Sequence, residues 1–270
     1  MATSKFKFLK LLVGGVCAVL FSSNVLAQGI LGSKHDMQTQ GAVGSDEVCV
    51  FCHTPHGADT GAPAPLWNRV LDTTVVYDRY SSLGTATLDG DEAPVGSVSL
   101  ACLSCHDGTQ ARDVVINTPG SGGHSVTGSP IGGVSTLGVL SGSPIPALGT
   151  DLTDDHPVSI QYAGGACQDT LADCDPTTAA SGDPDFSIAQ YETINGTDQW
   201  WVDTEAASNN TRNKTDMILY ARSDYINAAG TGPSVECGSC HDPHQAAPQP
   251  VSFMRVSNAQ SAVCLACHIK

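Results

Sequence analysis

The chain has 270 residues, of which 27 are Asp or Glu and only 12 Lys or Arg, for a formal net charge of −15 at pH 7. A surface of that sign repels nucleic acid and anionic membranes and favours cationic partners, metal ions or oxidised metal species. Aromatic residues make up 6% of the chain while Gly, Ser, Thr, Asp and Pro abound, which excludes a thick conventional side-chain core at this length.

The first segment reads as a targeting sequence. Lys5, Lys7 and Lys10 form a positive end, the apolar run from Leu11 to Phe21 is too short to span a bilayer, and Val25-Leu26-Ala27 fits a small-residue cleavage site. A signal peptide at 1–27 is expected, with a mature chain starting at Gln28 and carrying a net charge of −18 once the three leader lysines are gone. Cys17 leaves with the leader, and Val16 before it is a poor match to a lipoprotein box. Export to the extracellular space or cell surface is the expectation, with the periplasm as the alternative.

Four Cys-x-x-Cys-His motifs follow: Cys49 to His53, Cys102 to His106, Cys237 to His241 and Cys264 to His268. Four copies with the His always directly after the second Cys predict four covalent haem c groups. In each, the two thiols (Cys49 and Cys52, Cys102 and Cys105, Cys237 and Cys240, Cys264 and Cys267) bond the porphyrin edge. His53, His106, His241 and His268 are then the proximal iron ligands. Structural zinc is the competing reading, but zinc usually takes Cys-x-x-Cys units in pairs without a fixed trailing His. The motifs show a duplication. The first and third continue to His56 and His244 through His-x-Pro-His, and the second and fourth lack that extra His.

Between the motifs the sequence predicts little order. Thr73 to Tyr80 and Pro157 to Tyr162 read as short strands, Gly120 to Gly149 as loop, and Asn213 to Tyr225 as a helix or an extended run. Short helices are expected around the last two motifs. Cys167 and Cys174, separated by six residues in an exported chain, predict a disulfide. The resulting fold expectation is a mostly irregular coil with few short helices and strands, wrapped around a stacked haem chain. It forms a single tetrahaem domain over 28–270: a haem pair at 49–106, a loop-rich insert at 107–236 and a haem pair at 237–268.

Five of the nine histidines lie outside the motif positions, enough to close every iron from its far side. His56 and His244 sit too close to their own proximal His to reach round that haem, so each is expected to ligate a different one. His156, at the edge of a strand, is a distal candidate whose other ring N–H Asp154 or Asp155 would accept. His35, near the mature N-terminus, would fold back onto its own haem or reach into a neighbouring subunit. His124 lies in a flexible Gly-rich stretch and ranks last. Met37, Met217 and Met254 are alternatives that rank below histidine.

The motifs Cys-Val-Phe-Cys-His-Thr-Pro-His-Gly and Cys-Leu-Ser-Cys-His-Asp-Gly-Thr, the later His-Pro-Val-Ser and the leader together resemble the outer-surface multihaem cytochromes of metal-reducing bacteria, in particular the OmcE-like tetrahaem kind. The resemblance runs from about His35 to His268 and is weak across 165–235. It implies that all haems are bis-His, that subunits polymerise into an extracellular filament, and that a histidine of one subunit ligates a haem of the next, His35 being the expected residue. Other cytochromes or extracellular metal oxides are the implied redox partners. Electron transfer rather than enzyme catalysis is the expected role. A monomeric periplasmic or outer-surface shuttle and a multihaem reductase with one open haem are the alternatives.

Overall fold

A computed structural model describes residues 29–120, 123–142, 146–167, 174–179, 182–205, 209–245 and 253–269. The leader expected at 1–27 lies outside them. In chain order the regular elements are α1 (Ser97–His106), β1 (Val114–Asn117), β2 (His124–Pro130), β3 (Ile160–Gln161), β4 (Gln190–Ile194), β5 (Thr197–Val202), β6 (Met217–Arg222), β7 (Gly232–Val235), α2 (Cys237–Cys240) and α3 (Ala262–Cys267).

The strands form two antiparallel sheets. One is a β1–β2 ribbon and the other has five strands in the order β3-β7-β6-β5-β4. The expectation of a mostly irregular coil around haems is therefore wrong: the fold is β-rich with few helices. The physical reason lies in β5. Successive strand residues face opposite sides of a sheet, yet Trp200, Trp201 and Val202 are all buried, so both faces are covered and no polar–apolar alternation survives to announce the strand. A cue was nonetheless present at Asn195-Gly196, where φ is 53° and 77°. Two consecutive positive φ values are what a tight hairpin turn needs, and this Asn-Gly pair joins β4 to β5.

Local expectations are corrected in the same way. The stretch from Thr73 to Tyr80 is not a strand and makes one isolated bridge, Asp78 to Asp151. The strand foreseen over Pro157 to Tyr162 shrinks to two residues, because Ser159 with φ 57° breaks the extended run before Ile160. The Gly-rich loop over Gly120 to Gly149 contains β2, and Asn213 to Tyr225 holds the extended β6. Short helices do accompany the last two motifs, as α2 and α3.

Three apolar clusters supply the core, and each abuts a motif. Met37, Phe51, Val115, Ile131 and Leu137 pack with Val50 and Cys52 of the first motif. Leu100 and Ala101 of α1 pack with Ala62, Leu71 and Trp67. The largest cluster centres on Trp200, Tyr162 and Met217, and Cys240 and Cys267 of the last two motifs lie against it. It also contains the Cys167–Cys174 disulfide. That bond holds the turn after β3 beside the entry to β4, where Cys174 and Ala189 exchange backbone hydrogen bonds of 2.9 and 3.2 Å.

Candidate haem-binding sites

Three of the four motifs lie in helix, which is why Cys-x-x-Cys spacing suits a porphyrin edge: residues three apart share a helix face. The second motif is the end of α1, the third forms α2 and the fourth ends α3. The first is a tight turn in which the His53 amide donates to the Cys49 carbonyl at 2.8 Å, matched by His241 to Cys237 at 3.1 Å and His268 to Cys264 at 2.9 Å.

The duplication seen in sequence extends into three dimensions. After the first motif the chain turns back through Leu66 at φ 54°, and after the third through Phe253 at φ 57°. His53 then bridges Trp67 and His241 bridges Met254. The Asn68 amide donates to Cys52 O and the Arg255 amide to Cys240 O, both at 2.8 Å. The side chains repeat the pattern: Asn68 Nδ2 donates to Val50 O at 2.7 Å and Arg255 Nε to Gly238 O at 2.9 Å.

The thiols show which motifs are neighbours. Burial and then the Cys105 thiol push Cys52 up to about 12, with Arg69 opposing. Cys102 and Cys237 share a hydrogen bond that drives Cys102 well up and Cys237 down. Burial, then Cys237 and Cys264, push Cys240 up to about 11, and burial followed by Cys240 pushes Cys267 up to about 12. Thiols of consecutive motifs thus adjoin.

Two polar residues that sequence reasoning missed lock these turns together. Glu236, fully buried, caps α2 and accepts hydrogen bonds from Ser99 Oγ of α1 at 2.6 Å, Ser159 Oγ at 3.1 Å, Ser234 Oγ at 3.0 Å and Arg222 Nη1 at 3.0 Å. Burial raises its carboxyl, with Ser99 and Arg222 pulling the other way. Arg69, also fully buried, donates to the carbonyls of Ser104, Ala111, Arg112 and Val114 at 2.9–3.1 Å. It ties the second motif to the entry of β1. Neither signal is local in sequence, since each depends on strands far along the chain.

The histidines come together in pairs. Two imidazoles on opposite faces of one iron, with metal–nitrogen bonds of about 2 Å, place their ring centroids roughly 6 Å apart. His53 and His244 are separated by 5.9 Å, His35 and His106 by 6.1 Å, and His156 and His268 by 6.5 Å. His53 Nδ1–H donates to Pro65 O at 2.6 Å and His106 Nδ1–H to Pro146 O at 2.7 Å. Those bonds fix the tautomer that leaves Nε2 for a metal. His156 Nδ1–H donates to Pro157 O at 3.0 Å, so the neighbouring carbonyl takes the place foreseen for Asp154 or Asp155. His35 stacks on Phe253 at 4.5 Å. Burial, then His106, His244 and His241, lower it to about 4, so its imidazole is neutral and its lone pair free to ligate. Burial likewise lowers His244, against the pull of Asp242. His56 and His124 are exposed and make no ring contact with the proximal set. They flank Asn117, whose Nδ2 donates to His56 O at 2.6 Å and which pairs with His124 in the β1–β2 register. Of the methionines, Met37 and Met217 are committed to apolar clusters.

These residues fit haem better than zinc. Among the described residues no three His, Cys, Asp or Glu side chains converge into a shell for a metal ion, which a tetrahedral zinc site requires. Trp67, edge-on to His53 at 5.7 Å, keeps a buried Nε1–H without an acceptor among the described residues, a donor suited to a carboxylate of a bound porphyrin. The family described as doubled CXXCH motif matches residues 231–270, which hold the third and fourth motifs. The chain matches no curated protein sequence. Residues 231–270 form a multihaem c-type cytochrome-like region, and the CXXCH motifs mark covalent haem c attachment in the service of electron transfer.

Proposed function

We propose that the chain is an exported electron-transfer protein with four bis-His haems in chain order, built as the subunit of an extracellular filament of the OmcE-like kind. The observation that carries the reading is the set of three histidine pairs at the spacing of two ligands on one iron. Haem c supplies the one-electron couple when bound. The chain's own residues do the rest. The paired imidazoles would hold the iron through two nitrogen donors, a set that suits one-electron transfer rather than ligand binding. Pro65 and Pro146 carbonyls orient the proximal rings and raise their basicity. The clusters around Phe51, Leu100 and Trp200 exclude water beside the motifs.

Carbon monoxide added to the reduced wild-type protein is expected to leave the spectrum unchanged. Rapid binding at a haem under mild conditions overturns the all-bis-His reading.

His35, meeting His106 of its own chain, is assigned to that iron, and the contact between subunits passes to the exposed His56. The acidic surface and the leader support export, with other cytochromes or metal oxides as electron acceptors. Negative-stain microscopy of the purified protein is expected to show filaments that His56→Ala abolishes without loss of haem. Discrete particles for the wild type under native conditions contradict assembly, and unaltered filaments in His56→Ala contradict the role of that residue.

A further inference from the structure

Nine Lys and Arg residues follow the expected leader, and three of them, Arg212, Lys214 and Arg255, line one cleft of about 460 Å³ beside His244. The single carboxylate there is Asp242, 3.4 Å from Lys214 Nζ. Lys214 Nζ also donates to His244 O at 3.3 Å. Arg212 is bonded to the neutral Gln199 side chain, and Arg255 donates to Gly238 O at 2.9 Å and Lys214 O at 3.0 Å. Neither arginine has a carboxylate partner among the described residues. In a strongly acidic chain, three lining cations against one lining anion leave a local positive excess, with Glu205 and Asp216 held on Asn213 rather than on the cations. A guanidinium also offers paired N–H donors that match the two oxygens of a carboxylate.

We infer that this cleft is a carboxylate-binding site. The carboxylate comes either from a propionate of the haem gripped between His53 and His244 or from a small polycarboxylate in solution. The first source rests on the haem reading above and follows from position: His244, whose ring faces His53, is among the residues that line the cleft. A cation beside a propionate favours the reduced, more negative haem, so the site then sets that haem's potential above what its ligands alone would give.

The test uses the haem-loaded full chain, wild type and the Arg212→Gln/Lys214→Gln double variant, with intact-mass haem counting first. If a propionate fills the cleft, the variant keeps its haem count, the midpoint potential of one haem falls in a spectroelectrochemical titration, and citrate does not bind the wild type. If the occupant comes from solution, citrate binds the wild type saturably and at least tenfold more weakly to the variant. Unchanged potentials together with no citrate binding overturn the proposal. Citrate binding by a chain that carries no haem would keep the site and sink the haem reading instead. Should the double variant not accumulate, Lys214→Gln carries the same comparison, because that side chain is 63% exposed.

Discussion

Glu236→Ala is expected to lower stability by about 3–5 kcal/mol, because it removes one partner of a buried ion pair and strands the other. Arg222, whose side chain is 7% exposed, would lose the Nη1 bond to Glu236 and keep the outer Asp224 as its carboxylate partner beside Pro94 O and Ser159 Oγ. Ser99, Ser159 and Ser234 would each lose a buried acceptor. The effect is local as well as global. Ser99 Oγ also accepts the Cys237 amide at 3.0 Å, so the clasp between α1 and α2 opens where Cys102 meets Cys237. Glu236→Gln keeps the cap's size and some of its bonds and is expected to cost about 1–3 kcal/mol. Denaturant midpoints of the haem-loaded variants check both values. Equal midpoints for wild type and Glu236→Ala would remove the clasp from the account.

The second large effect concerns a single iron. His244→Ala is expected to leave every covalent haem in place while opening the iron opposite His53, so that reduced protein binds one carbon monoxide per chain. Thioether attachment by Cys49 and Cys52 does not depend on the distal ring, whereas the sixth ligand does. A variant that still binds no carbon monoxide would show that His244 is not the distal ligand. Loss of a haem from the mass would instead assign His244 a part in attachment.

The motifs were legible in sequence because haem attachment is a local act: two thiols and an imidazole within five residues carry the whole signal. The disulfide was legible for the same reason. The spare histidines were legible as a set of candidates, but which of them would face which motif histidine was not. His244 reaches His53 across 191 positions only because the chain folds the third motif beside the first. His35 was read as a terminal arm, yet Phe253 supplies a flat surface that seats it against His106.

The sheets were hidden by particular residues. Trp200-Trp201-Val202 buries both faces and so erases the two-residue period. β2 runs through a Gly-rich stretch and takes Gly128 at φ 81°, where an added Cβ would lie 2.6 Å from Val114. Composition argued against a thick side-chain core, and the apolar residues form three small clusters instead. Each is placed against a motif rather than gathered in one centre.

The intact mass of the purified mature protein tests the central claim most directly. The expected mass is that of the chain from Gln28 plus four covalently attached haems, falling by one haem when Cys237 and Cys240 are both changed to Ser. A mass with fewer haems, or with zinc in their place, contradicts it.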